Sequence, residues 1–237
     1  MEVDPPEILA LHGNVGSAKD WSSLELSTLT AIDLWDWSEL SFFEFAHELS
    51  TSLSRGMERP ILAGYSLGGR LALYAMAIHP ERWGGAIIAS SHPGLRCVED
   101  RLARVSSDAI WAKRARELPW VEFLSAWNQQ PVLAGENVGE GQLDLEAARD
   151  SIAMAFETWS LGRQEDLRSS LRRFHPPVLW ITGEQDLKFS SLAEEMEDVF
   201  PSLTRRVIPG VGHRVLGSEL GQEIRRWLSA TQSGSES

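Results

Sequence analysis

Gly64-Tyr65-Ser66-Leu67-Gly68-Gly69-Arg70 decides how this chain folds. The apolar run Pro60-Ile61-Leu62-Ala63 leads into it, and Leu71-Ala72-Leu73-Tyr74-Ala75-Met76-Ala77 leads out. The first run has the length and character of a buried strand, the second those of a helix. A serine between two glycines at a strand-to-helix junction needs both glycines, because the serine backbone is strained and neighbouring segments crowd the turn. The geometry lifts the Ser66 hydroxyl above a sheet edge and sets the Leu67 N–H at a helix start, where it can stabilise an oxyanion. The plainer alternative is a structural Gly/Ser turn, but the flanking strand and helix favour the catalytic form. Arg70 lies one helical turn after Ser66, which keeps it on the serine's side of the helix mouth.

Working outward, short apolar runs alternate with longer stretches of helical period. Ile8–Leu11, Thr30–Leu34, Ile61–Gly64, Ala86–Ala89, Val178–Thr182 and Arg205–Ile208 read as six strands. Ser41-Phe42-Phe43-Glu44 has the form of a capping box opening a helix, with Phe42, Phe45, Ala46, Leu49 and Leu53 as its apolar stripe. Such alternation predicts an α/β fold, a mostly parallel sheet with helices on both faces. From about Leu95 to Phe174 the rhythm breaks. Only helical patterns occur there (Glu99–Val105, Ile110–Glu117, Val121–Trp127, Leu145–Trp159), together with Trp111, Trp120, Trp127 and Trp159. The expected organisation is therefore a core of residues 1–94 and 175–230, a helical cap of 95–174 and a polar, disordered tail of 231–237. For any one of the four tryptophans, packing of the cap is the simpler role than ligand contact.

The 237 residues fit one domain carrying one insertion. Acidic side chains outnumber basic ones 34 to 22, for a formal net charge of -12. That argues against nucleic acid and anionic membranes as partners, since both are bound by summed positive charge. An anionic ligand would need a few local arginines. The lone Cys97 leaves no internal disulfide and suits a reducing compartment. Met1-Glu2-Val3-Asp4-Pro5-Pro6 lacks the basic head and apolar run of a secretory leader, and no run of 18 apolar residues occurs, so a cytoplasmic location is expected.

A serine nucleophile or base needs a histidine, and the histidine an orienting carboxylate. On an α/β-hydrolase fold these follow in the order acid, then histidine, each just after a strand. Asp186 follows the strand Val178–Thr182, and His213 follows Arg205–Ile208. The expected triad is Ser66, Asp186 and His213, with Glu184 as the rival acid. His12-Gly13-Asn14 follows the first strand, where the second oxyanion donor belongs, so the backbone N–H groups of Asn14 and Leu67 are the expected oxyanion hole. His47, His79 and His175 suit structural roles. No histidine spacing suggests a metal site, neither phosphate-loop pattern is present, and no cofactor is expected.

Five segments carry a closer likeness: Leu11-His12-Gly13-Asn14-Val15-Gly16-Ser17-Ala18-Lys19-Asp20-Trp21, the Ser66 turn with Arg70, Ser91-His92-Pro93-Gly94-Leu95, Trp127-Asn128-Gln129-Gln130-Pro131 and Gly183-Glu184-Gln185-Asp186-Leu187-Lys188-Phe189. With them the chain resembles the 2-succinyl-6-hydroxy-2,4-cyclohexadiene-1-carboxylate synthases of menaquinone biosynthesis, α/β-hydrolase-fold lyases, over nearly its whole length. The resemblance implies elimination of pyruvate from 2-succinyl-5-enolpyruvyl-6-hydroxy-3-cyclohexene-1-carboxylate, a small polyanion, with Ser66 as a triad-assisted base. It also implies that Tyr65, Arg70, Arg104, Trp127 and Arg149 bind substrate. Three positions depart from the family pattern: Asn14 stands where an apolar aromatic is usual, Arg214-Val215 replaces Asn-His after the histidine, and Arg149 precedes Asp150-Ser151 instead of Asn-Asn. The alternative function is a carboxylesterase or thioesterase using the same triad for acyl transfer. A non-catalytic binding module on this scaffold is hard to reconcile with a complete triad.

Overall fold

The computed structural model describes residues 5–133 and 141–233. Six strands, β1 (Ile8–Leu11), β2 (Leu29–Ile32), β3 (Ile61–Tyr65), β4 (Gly85–Ala89), β5 (Val178–Gly183) and β6 (Leu203–Ile208), form one sheet in the order β2-β1-β3-β4-β5-β6. Every neighbouring pair is parallel, with Leu11 opposite Gly64, Tyr65 opposite Ala89 and Gly183 opposite Ile208. All six strands expected from the sequence are present.

The edge strands β2 and β6 are partly exposed, whereas the inner strands β1, β3, β4 and β5 read as apolar runs because both faces are covered. Period-two alternation divides them cleanly. Leu9, Leu11, Leu62, Ile88 and Trp180 enter one core with helix α2 (Leu67–Ile78), while Ile8, Ala10, Ala63, Ile87 and Ile181 enter the other with helix α8 (Ser218–Ser233). Helix α1 (Phe42–Glu48) opens with the expected capping box: the Glu44 N–H donates to Ser41 Oγ, and the Ser41 N–H donates to Glu44 Oε2.

Between β4 and β5 the described residues form helices α3 (Val98–Glu117), α4 (Trp120–Asn128), α5 (Arg149–Thr158) and α6 (Arg168–Leu171), without a strand. Two expected helical segments fuse into α3, since neither Gly nor Pro interrupts them. Pro119 ends that helix. Helix α7 (Leu187–Glu195), which follows β5, has no counterpart in the sequence reading. A correction concerns the tail. Helix α8 runs to Ser233, so residues 231–233 are helical where disorder was expected. Leu220, Ile224 and Trp227 anchor it in the core, and the Thr231 hydroxyl bonds the carbonyls of Trp227 and Leu228. Residues 234–237 of the expected tail lie outside the described residues, as do 134–140 of the expected cap. No helix among the described residues is long and apolar enough to cross a membrane.

Because all strands point one way, their carboxyl ends share one edge of the sheet, where α/β folds carry their sites. The Ser66 turn is pressed tight there. A Cβ on Gly68 would lie 2.2 Å from the Leu11 carbonyl oxygen, and one on Gly64 would lie 2.4 Å from the Gly68 carbonyl oxygen. Backbone cannot yield as a flexible side chain does. We expect Gly68→Ala to lower unfolding free energy by about 2 kcal/mol or more, measured by chemical denaturation; a variant as stable as the parent would refute the crowding.

Candidate active site

The strand ends deliver four segments to one place. β3 ends at Ser66, which has φ +51° and ψ -108° as the residue before α2. This left-handed conformation is rare for a residue with a Cβ. Four hydrogen bonds hold the turn: Ser66 N–H to the Ala89 carbonyl (2.9 Å), Arg70 N–H and Ser91 Oγ–H to the Ser66 carbonyl (3.1 and 3.0 Å), and Gly68 N–H to the His12 carbonyl (3.0 Å).

The loop after β6 brings His213 Nε2 to 3.0 Å from Ser66 Oγ, and the loop after β5 brings Asp186 Oδ2 to 2.7 Å from His213 Nδ1. With the buried carboxylate accepting from Nδ1–H, Nε2 is free to accept the serine proton, the arrangement in which a hydroxyl becomes a base or nucleophile. Glu184 is engaged elsewhere. It is exposed, and its Oε2 accepts the Gly210 N–H at 2.9 Å, bracing the loop that carries His213. The N–H groups of Asn14 and Leu67 donate to no acceptor among the described residues. Both residues line the cavity beside Ser66, where a developing oxyanion could be received.

That cavity has a volume of about 880 Å³ and lies between the sheet edge and the helical insertion. Tyr65, Arg70, Arg104 and Trp127 all line it. Tyr65 is nearly buried, its ring centroid 5.7 Å from that of His213. Arg70 is 8% exposed, and one of its Nη1–H groups donates to the Trp159 carbonyl at 2.9 Å. Burial, and then the charge of Arg104, pushes its guanidinium down to about 9, which leaves it cationic at neutral pH. Arg104 is held by its Nε, 2.8 Å from both oxygens of the buried Asp108, and Ser160 Oγ–H bonds the same carboxylate. Trp127 stands edge-on to Trp111 at 5.2 Å, and both line the cavity, whereas Trp120 and Trp159 are buried packing.

Arg149 is a correction. It does not line the cavity. Its Nε–H and Nη2–H donate to the carbonyls of Ala115 and Leu118 at 3.0 and 2.6 Å, closing the C-terminus of α3, and its guanidinium lies over the Trp120 ring. The helix end left open by Pro119 claims the arginine that resemblance assigned to substrate.

Other residues on the cavity wall were missed. Lys19, Lys188 and Arg214 add charge there, Asp108 and Trp111 line it from α3, and His92 lies beside them. Arg214 reaches across to Asn128 Oδ1. Asp108 was readable, being four residues after Arg104 on one helix. Arg214 is marked in the sequence only by its place after His213, where the family pattern differs.

The sequence profile of the alpha/beta hydrolase family matches residues 8–225. The 2-succinyl-6-hydroxy-2,4-cyclohexadiene-1-carboxylate synthase of Pectobacterium atrosepticum is 33% identical, over 94% of each chain. The protein of the same name from Enterobacter sp. is 34% identical, over 88% of this chain and 84% of that one. The chain belongs to the alpha/beta hydrolase family, within the sequence family of these synthases. Among solved structures, MenH from S. aureus superposes with a TM-score of 0.84 at 24% identity, covering 98% of this chain and 96% of that one. A thermophilic esterase from Thermogutta terrifontis gives 0.72 at 21% identity, covering 95% and 90%. Both share the fold.

We expect Arg149→Ala to cost about 1–2 kcal/mol of stability, from two lost helix-end hydrogen bonds, while leaving kcat/KM within about twofold of the parent. Paired denaturation and steady-state measurements check this. A large kinetic loss in a stable variant would return Arg149 to the site.

Proposed function

We propose that this protein is a menaquinone-biosynthesis lyase that eliminates pyruvate from 2-succinyl-5-enolpyruvyl-6-hydroxy-3-cyclohexene-1-carboxylate, the chemistry its relatives are named for. The observation that carries this reading is the cavity's charge. On a chain of net charge -12, the described residues of the cavity wall include five cationic side chains, Lys19, Arg70, Arg104, Lys188 and Arg214, against two carboxylates, Asp20 and Asp108. A substrate with several carboxylates suits such a wall; a small neutral ester has no use for it. Guanidinium groups in particular grip carboxylates through two parallel hydrogen bonds.

In this reading Asp186 orients His213, and His213 takes the Ser66 hydroxyl proton as Ser66 Oγ removes a proton from the substrate ring. The C–H electrons move through the ring, and the charge developing on the conjugated oxygen meets the Asn14 and Leu67 N–H groups. The carbon–oxygen bond to the enolpyruvyl group then breaks, and the enol of pyruvate departs carrying the electron pair. The proton on His213 satisfies the leaving oxygen, and the enol tautomerises to pyruvate. Arg70, Arg104, Tyr65 and Trp127 hold the substrate against Ser66, and residues 95–174 act as a cap over a core of 1–94 and 175–230. The acyl-transfer alternative keeps the same three residues but makes Ser66 Oγ attack a carbonyl, as the esterase likeness in fold allows.

The test is pyruvate release from the cyclohexene substrate, measured beside hydrolysis of short p-nitrophenyl esters. The lyase reading expects efficient pyruvate release that falls at least ~10³-fold in Ser66→Ala and in His213→Ala, both folded. It expects Arg70→Ala and Arg104→Ala each to lose about 10- to 150-fold in kcat/KM on the polycarboxylate while neutral-ester turnover barely changes. Rapid ester hydrolysis without pyruvate release would replace it with the esterase.

A further inference from the structure

His92 lies on the cavity wall, 6% exposed, in the tight turn His92-Pro93-Gly94 after β4. Pro93 has no N–H, so the next backbone donor is Gly94, and its N–H points back at His92 Nδ1 at 3.0 Å. A backbone N–H can only donate. Nδ1 therefore carries no proton, and the neutral ring must carry its one proton on Nε2. No acceptor for Nε2 exists among the described residues, and His92 is itself part of the cavity lining.

The turn is clamped from the helical insertion. Gln164 Nε2–H donates to the His92 carbonyl at 3.1 Å, the Leu167 N–H to the Pro93 carbonyl at 2.9 Å, and Arg168 Nη1–H to the Gly94 carbonyl at 3.0 Å. Gln164 is fully buried, and its Oε1 accepts from Arg70 Nη1–H at 3.4 Å. One amide thus fixes His92 and Arg70 relative to each other. A Cβ on Gly94, which has φ +120°, would fall 2.1 Å from the Glu165 carbonyl oxygen, so the turn admits no other residue there without movement.

We propose that His92 is a substrate-contacting specificity residue: a neutral imidazole, fixed as its Nε2–H tautomer, that donates a hydrogen bond to an oxygen of the bound polycarboxylate beside Arg70. Arg70 and Arg104, the charged donors that reach the same side of the cavity, are cations, and a cation draws the nearest carboxylate whatever its orientation. A neutral donor in a rigid turn instead selects position, and it can serve a hydroxyl, ether or carbonyl oxygen as well as a carboxylate. The surroundings keep the ring neutral. Burial first, then the positive charges of Lys188, Arg168, Arg70 and Arg104, push its pKa down to about 3. Protonation would also break the Gly94 bond.

This inference rests on the substrate reading of the cavity, and its test separates the two. Asparagine at position 92 can still accept the Gly94 N–H but is too short to reach the cavity; glutamine can place an amide N–H near the position of Nε2. With wild-type pyruvate release established first, we expect His92→Asn to fold normally and lose about 10- to 100-fold in kcat/KM, and His92→Gln to recover most of that loss. A merely structural role gives the reverse order. No loss in either variant, or a loss as large in His92→Gln as in His92→Asn, overturns the proposal. Imidazole ¹⁵N shifts of the unliganded protein form an arm that needs no turnover: His92 should stay neutral and Nε2-protonated from pH 8 to pH 5. An Nδ1–H tautomer, or a ring that titrates in that range, overturns it even if wild-type protein releases no pyruvate.

Discussion

Ser66 occupies a backbone conformation that costs a residue with a Cβ about 1–3 kcal/mol, and the remainder of the site follows from how that cost is met. The turn survives because β1, β4 and α2 close on it from three sides, leaving room only for glycine at 64 and 68. The same closeness aims the Ser66 hydroxyl at His213 and leaves the Leu67 N–H at the mouth of α2 without an acceptor. Strain here is a positioning device, paid for by two buried cores.

Electrostatics divides the protein. Its surface is strongly acidic, while the interior wall of the cavity is cationic, with Arg70 nearly buried and kept charged. Burying a guanidinium costs several kcal/mol unless carbonyls or anions receive it. The Trp159 carbonyl and Gln164 supply part of that compensation, and a substrate carboxylate would supply more. Asp108 does the corresponding work for Arg104, taking its Nε edge and leaving the Nη edge for other partners. Arg149 shows the contrary outcome. The same side chain at a helix end with unmet carbonyls is drawn into structure.

The parts legible in the sequence were those with local signatures. Six strands, the α1 capping box, the Ser66 turn, and the acid and histidine after their strands all depend on period, spacing or turn chemistry within a few residues. What could not be read depended on contacts across the fold. Whether Arg149 or Arg214 faces the cavity is set by where α3 ends and where the β6 loop meets α4. The tautomer of His92 depends on a proline removing one donor and a glycine supplying the next, a local pattern whose meaning appears only once the ring is seen on the cavity wall. The stripe Leu220, Ile224 and Trp227 is legible as a last helix, but the polar residues after Leu228 give no sign that the helix runs on to Ser233.

In the proposed elimination, Ser66 would act as a base through its hydroxyl oxygen, without a bond to substrate carbon. Intact-mass spectrometry of the enzyme, quenched on the millisecond scale while it turns over the cyclohexene substrate, measures this directly. Elimination predicts the unmodified protein mass at every time point while pyruvate accumulates. A transient adduct that maps to Ser66 and decays as product forms would contradict it and make the protein an acyl-transfer enzyme.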